Sequence, residues 1–220
     1  MERMKLLIFD LDGTLVDSKK DIVDSVKYMI GHQGLKEKTD EEITSYIGTG
    51  VRDLIEKSLG DASGELYEES LKVFEEHYRR HALDNSRLYP AVTETLGYLN
   101  GKKKVIVTNK KKEFALASME AFGISKYFDE VYGGDDTTCL KPSPCRLEDV
   151  MKSFSSDKSE TMMIGDMALD IQFGKNSGTV TCGVIYGIGR EDDIRAAKPD
   201  YIISRIDELK GIIAGENKRG

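Results

Sequence analysis

Short, nearly continuous apolar runs alternate with segments of helical period along most of this chain. Residues 4–10 read as a first strand and Lys104-Val105-Ile106-Val107-Thr108 as a second. Glu130-Val131-Tyr132 is a short third, and residues 161–164, 180–185 and 201–203 complete the series. Between them a period of 3.6 predicts helices over residues 111–122, 146–154 and about 168–176, with one more after Ile206. Gly123 and Gly178 stand where two of these helices should stop. Strands that are apolar on both faces and alternate with helices predict an α/β fold, a doubly wound parallel sheet covered on both sides.

Residues 17–82 break this rhythm. Ile22, Val23, Val26, Met29 and Ile30 follow a helical period, as do Leu54, Ile55 and Leu59, then Leu66, Leu71, Phe74 and Tyr78. No strand-like run interrupts them. The pattern predicts an all-helical cap domain, residues 17–83, inserted into a core domain made of residues 1–16 and 84–220. Its connectors are expected near residues 13–18 and 83–89. The polar tail, residues 216–220, is expected to fray.

Composition narrows the class. With 220 residues, 39% hydrophobic and 32% charged, the chain can bury a sizeable core and has no disordered character. A net charge of -7 argues against nucleic acid as a partner, because phosphate backbones recruit basic surfaces. No apolar run is long enough to span a bilayer, and the N-terminus enters a strand with no leader-like stretch, so no membrane partner and a cytoplasmic setting are expected. The three cysteines, Cys139, Cys145 and Cys182, show no C-x-x-C spacing and are expected as reduced thiols. A monomer or homodimer fits this size.

In open parallel sheets, ligands bind beyond the carboxyl ends of the strands. The first strand ends in Asp10 and Asp12, followed by Gly13; the second ends in Thr108-Asn109. Lys141-Pro142-Ser143-Pro144 follows the third, and Gly165-Asp166 ends the fourth, with Asp170 a helical turn on. Each alone could be cap or turn chemistry. Together they bring carboxylates, a hydroxyl and a lysine to one edge. Asp10, Asp12 and Asp166 would repel unless a cation sat among them, and a hard divalent ion such as Mg²⁺ suits oxygen ligands and a phosphate. Lys141 adds a charge that can hold a phosphate and orient a carboxylate. Thr108 can donate its hydroxyl proton, and Gly13 would let backbone amides approach an anion. The set fits phosphoryl transfer, in which positioning and charge neutralisation dominate.

In their order, "DLDGTLVDS", "VTNK", "KPSP" and "GDMALD" resemble the haloacid dehalogenase superfamily of phosphohydrolases over the whole chain, helical cap included. The resemblance implies Asp10 as the nucleophile that becomes an aspartyl-phosphate, and Asp12 as general acid and then base. It implies that Thr108, with neighbouring Asn109 and backbone amides, binds the phosphoryl group, and that Lys141 bridges it to Asp10. Mg²⁺ would be held by Asp10, Asp166 and the backbone carbonyl of Asp12, with Asp170 acting through water or from behind. Asp17-Ser18 would begin the hinge of the cap and lie outside the chemistry.

Asp12 favours phosphatases and phosphomutases within the superfamily, because an alkoxide leaving group needs an acid. "YIGTGVRDLIEKSL" in the cap and "YGGDD" before the lysine motif look like the phosphoglycolate phosphatase branch, which implies hydrolysis of 2-phosphoglycolate. Thr49 and Gly50 then belong to a substrate-facing turn, and Arg52 is a candidate contact for the substrate carboxylate or phosphate. A sugar-phosphate phosphatase or phosphomutase, a nucleotidase or a pyrophosphatase remains an alternative, although Lys19-Lys20-Asp21 stands where such mutases usually carry a histidine. A receiver-type signalling switch that stores an aspartyl-phosphate is a further one, disfavoured by the D-x-D-G-T spacing and the large insertion.

Overall fold

The computed structural model describes residues 4–136 and 139–215, so the tail expected to fray lies outside the described residues. Its centre is a sheet of six parallel strands: β1 (Leu6–Phe9), β4 (Lys103–Val107), β5 (Glu130–Tyr132), β6 (Thr161–Gly165), β7 (Val180–Val184) and β8 (Tyr201–Ile203). Two further short strands, β2 (Val16–Asp17) and β3 (Arg87–Leu88), pair antiparallel outside it. The order in the large sheet is β5-β4-β1-β6-β7-β8. The chain therefore winds outward from β1 in one direction and then returns to wind in the other. That reversal puts the binding crevice of a doubly wound sheet beyond the carboxyl end of β1.

The parity of β1 explains why both faces are covered. Leu7 and Phe9 enter one core with Leu96, Ile106, Ala115 and Ile164, whereas Leu6 and Ile8 enter the opposite core with Val105, Leu147, Met163 and Phe173. All four β1 side chains are fully buried, so successive residues need an apolar layer on each side. Helices α5 (Val92–Tyr98), α6 (Lys112–Ala121) and α10 (Leu209–Ala214) supply the first layer; α7 (Cys145–Ser153) and α8 (Ala168–Ser177) supply the second. The pair β2–β3, helix α5 and helix α9 (Glu191–Ala196) have no counterpart in the sequence reading, because each is too short to display a period.

The insertion consists of α1 (Lys19–His32), α2 (Asp40–Thr44), α3 (Val51–Leu59) and α4 (Ser63–His81). It has its own apolar core, in which Ile22, Val26, Met29, Ile55 and Phe74 are buried. Phe114 of α6 reaches up from the sheet domain into that core. Both connectors are tied together at Asp21, in the first turn of α1. Its carboxylate accepts the backbone N–H of Asn85 (3.0 Å) and of Ser86 (2.8 Å), along with the Asn85 amide and the Ser86 hydroxyl.

One expectation is corrected here. Cys139 and Cys145 are not free thiols but a disulfide, because the Pro-containing turn between them brings their Cα atoms to 5.9 Å. Cys182 is free and buried on β7. Among the described residues no helix is long and apolar enough to cross a membrane.

Candidate active site

Asp10 follows the last residue of β1, and its N–H still donates to the Ile164 carbonyl (2.9 Å), so the sheet fixes where its side chain begins. The chain then turns sharply: the Leu11 carbonyl accepts from Leu15 (2.9 Å) and Val16 (3.0 Å), and Gly13 donates to the Val16 carbonyl (2.8 Å). Gly13 has φ +83°, and a Cβ there would lie 2.1 Å from Asp166 Oδ2. Glycine is thus required for the turn to lie against Asp166. The Gly13 amide is used inside the turn, and the close approach it permits is to that carboxylate.

Asp10, Asp166 and Asp170 are buried together, each offering a carboxylate oxygen within 4.8 Å of the others. Lys141 Nζ donates to Asp10 Oδ1 (2.7 Å) and Asp170 Oδ1 (2.6 Å). Asp170 Oδ2 accepts the Met167 N–H (3.0 Å) at the start of α8. Asp166 accepts the Thr14 hydroxyl (2.9 Å) on one oxygen, and the amides of Ile188 (2.8 Å) and Gly189 (3.1 Å) on the other. Burial pushes Asp10 up to about 6 against the pull of Lys141, with Asp170 and Asp12 adding to the rise. Burial, then the charges of Asp10 and Asp170, push Asp166 up to about 8. Burial alone would lower Lys141; Asp10 and Asp170 outweigh it and hold the amine above its ordinary range. One ammonium among three carboxylates leaves the cluster net negative. Buried oxygen donors with unbalanced negative charge suit a hard divalent cation.

The side chain of Asp12 stands apart from this trio. Lys110 Nζ donates to both of its oxygens (2.8 and 3.1 Å), and the Ser18 hydroxyl donates to Oδ1. Lys110 also donates to the hydroxyl of Tyr78 (2.6 Å), which descends from α4. Ser18 is therefore not only a hinge residue, because its hydroxyl touches Asp12. The sequence reading missed Lys110 and Tyr78. Lys110 lies inside the quoted "VTNK", but only the chain's return past Asp12 shows what its side chain meets.

Thr108 and Asn109 sit just past β4, both buried. Thr108 Oγ1 accepts the Lys110 N–H (3.2 Å). Asn109 is a strut joining three segments: Nδ2 donates to the carbonyls of Gly48 (3.0 Å) and Lys141 (3.3 Å), while Oδ1 accepts the Lys141 N–H (3.0 Å). Its amide is thus committed to the protein, one arm of it across to the cap.

A cavity of about 70 Å³ lies between cap and sheet. Asp10, Asp12, Thr108 and Lys110 line it from below, and Leu54 and Phe74 are among the apolar residues that line it from the cap. Gly48 and Gly50 also border it. Thr49 and Arg52 do not. Thr49 is exposed and donates to Asp53; the Arg52 side chain is 72% exposed, pairs with Glu56 (3.0 Å) and lies over the Tyr67 ring. The period of α3 is the reason: Val51 and Leu54 face the cavity, which turns Arg52 to the outside.

The class follows from what this edge can do. A carboxylate held by a lysine within a cluster that could hold a cation, a second carboxylate on the same cavity, and a helical cap above them make a capped α/β domain suited to phosphoryl transfer. Comparison with known proteins supplies the family. The model of the haloacid dehalogenase-like hydrolases matches residues 7–184, and the chain belongs to that family. It is 34% identical over 220 residues to the phosphoglycolate phosphatase of Vibrio parahaemolyticus, covering 96% of each chain. It is also 34% identical over 208 residues to that of Aquifex aeolicus, covering 94% of this chain and 95% of that one. A solved structure from Haemophilus somnus, described as a predicted phosphoglycolate phosphatase, superposes with a TM-score of 0.89 at 29% identity, over 96% of this chain and 99% of that one.

Proposed function

We propose that this chain is a Mg²⁺-dependent phosphatase that hydrolyses 2-phosphoglycolate to glycolate and phosphate through an aspartyl-phosphate on Asp10. The observation that carries this reading is the placement of Asp10 and Asp12 on one cavity with different partners, Lys141 for the first and Lys110 with Ser18 for the second. Two carboxylates in separate environments can take separate jobs.

Asp10 attacks phosphorus and the ester bond breaks, while Asp12 gives a proton to the departing oxygen. Asp12, now a carboxylate, takes a proton from water as the water oxygen attacks phosphorus, which releases inorganic phosphate and restores Asp10. Lys141 holds one oxygen of Asp10 in place for attack. Thr108 lines the cavity and can donate its hydroxyl to the phosphoryl group. Asp10 and Asp166 would hold the Mg²⁺, together with the carbonyl of Asp12, with Asp170 behind them because its oxygens accept from Lys141 and Met167. The ion would supply positive charge against the phosphoryl oxygens. The cap roofs the cavity with apolar side chains such as Leu54 and Phe74, which shield the reacting groups from bulk water. The relatives' names support 2-phosphoglycolate over other esters. A monomer or homodimer belongs to the same reading, and so does a cytosolic setting, against which the Cys139–Cys145 disulfide counts.

The test is phosphate release from a panel of monoesters with Mg²⁺, 2-phosphoglycolate included, by wild type and Asp10→Asn. The expected result is preferential hydrolysis of 2-phosphoglycolate, a loss of about a thousandfold or more in Asp10→Asn, and a phosphoenzyme trapped on Asp10 in the wild type. Asp10→Asn turning over at the wild-type rate would overturn the nucleophile; indifference to 2-phosphoglycolate would overturn the substrate.

A further inference from the structure

The cavity carries a cation that the chemistry above does not use directly. The Lys110 side chain is only 7% exposed and lines a cavity whose remaining walls are largely apolar. A lysine is almost never buried unless paired, and here its partners come from two domains: Asp12 of the sheet domain and Tyr78 of the cap. Lys111, next in the chain, also borders the cavity but is paired with Glu75.

The position of Lys110 relative to Asp12 decides what it can bind. Asp12 must reach the leaving oxygen of the ester by a hydrogen bond. In an ester of the form phosphate–O–CH₂–COO⁻, the carboxylate carbon is two bonds from that oxygen. The Lys110 ammonium is within 2.8 to 3.1 Å of the Asp12 oxygens, so a group two bonds beyond a leaving oxygen held by Asp12 can come within reach of it. Tyr78 completes the site. Its hydroxyl accepts from Lys110 and retains its own proton to donate. Burial pushes that phenol up to about 12, which keeps the proton in place at neutral pH. The Tyr78 ring is fixed by stacking on Phe74 (centroids 5.5 Å apart) and by an edge contact with Phe114 (5.1 Å).

Building on the phosphoglycolate reading, we propose that Lys110 and Tyr78 form the receptor for the substrate's carboxylate, a core ammonium and a cap hydroxyl that meet at the edge of the cavity. This is the role for which the sequence offered Arg52, which instead faces outward and pairs with Glu56. Specificity for a second anion then rests on a contact that also joins cap to sheet domain, beside the Asn109–Gly48 bond and the Lys111–Glu75 pair. An ester with a neutral tail leaves the Lys110–Tyr78 pair without its ligand and gains nothing from it.

The test compares kcat/KM for 2-phosphoglycolate and for 2-hydroxyethyl phosphate, which keeps the ester and replaces the carboxylate by CH₂OH. The readout is the ratio of the two, because any damage transmitted through Asp12 lowers both and cancels. Wild type should favour the carboxylate ester. Lys110→Met should reduce that preference about ten- to a hundredfold, mainly through KM of the carboxylate ester, and Lys110→Arg should recover part of it. Tyr78→Phe leaves the Lys110–Asp12 pair intact and should reduce the preference several-fold, so the test survives if Lys110→Met folds poorly. A wild-type preference that persists unchanged in Lys110→Met, or in Tyr78→Phe should the first fail to fold, overturns this assignment and leaves the phosphatase reading standing. A wild type with no preference for the carboxylate ester overturns the substrate reading and this one with it.

Discussion

Lys141 stands between two carboxylates, its Nζ 2.7 Å from Asp10 Oδ1 and 2.6 Å from Asp170 Oδ1. All three side chains are at least nine-tenths buried, so the ammonium cannot be replaced by water. Removing one member of such a group leaves the others charged and uncompensated. Lys141→Met is therefore expected to lose about 3–5 kcal/mol of stability in metal-free urea unfolding, and phosphatase activity by about a hundredfold or more. Added Mg²⁺ should return part of the stability but not the activity, since the ion offsets charge without holding Asp10 as the lysine does. Full activity in this variant would remove Lys141 from the mechanism.

The same cluster sets a pH dependence for the protein in metal-free buffer. Asp10 rises from 3.8 to about 6 and Asp166 from 3.8 to about 8 in the folded state, each because burial disfavours the anion and neighbouring carboxylates add to it. A carboxyl group whose pKa is raised by folding binds more protons folded than unfolded. Its stabilising contribution is complete below about 4 and is lost as pH rises through about 6 and then about 8. A divalent cation favours the ionised forms and reverses that trend. Melting temperatures measured in EDTA should fall between about pH 5 and pH 8, whereas the gap between Mg²⁺ and EDTA should widen over the same range. A gap independent of pH would show that the trio does not hold the ion.

Asp21 offers a test of the hinge that leaves the chemistry untouched. It is 2% exposed, and its carboxylate satisfies two backbone amides and two side chains of residues 85 and 86. Asp21→Ala strands those donors between the two connectors. The expected cost is about 2–4 kcal/mol, because a lost charge-assisted bond and unsatisfied buried amides act together. The cap should also open more often, measured as faster hydrogen exchange at Asn85 and Ser86 and a raised KM. Exchange rates unchanged from wild type would mean the connectors are held by β2–β3 alone.

Much of this could be read before any coordinates, and the exceptions have physical causes. The unbroken apolar run from Leu6 to Phe9 and those of the other strands made the sheet visible, because buried parallel strands leave a dense hydrophobic trace. Asp10, Thr108, Lys141 and Asp166 were legible because strand ends in such a sheet share one edge. Lys110 was not, since its meaning depends on contacts with Asp12 and Tyr78, which are 98 and 32 residues away in the chain. Arg52 was misleading for the opposite reason: its charge invited a ligand, but its phase on α3, two positions from Leu54, turned it to solvent. Ser18 was set aside as hinge although the turn at residues 11–16 folds it back onto Asp12.

The disulfide was missed because spacing alone does not tell when a proline turn will bring two cysteines together. Cys139 and Cys145 close a loop over a sequence separation of 6, and Lys141 lies inside it. Cross-linking so short a loop restricts the unfolded chain modestly, by about 2 kcal/mol in the chain-entropy account. Reduction by a dithiol should therefore lower stability by about that much, and Cys139→Ser should do the same under non-reducing conditions. The native protein should take up no thiol label, since Cys182 is buried, and should take up two labels per chain after mild reduction of the disulfide. The loop also holds Lys141 through its backbone: Asn109 bonds both the Lys141 N–H and its carbonyl, and these bonds do not depend on the sulfur atoms. Activity should accordingly survive reduction to within about a factor of three, well below the effect of Lys141→Met. Complete inactivation on reduction would show that the disulfide, rather than Asn109, keeps the lysine on Asp10.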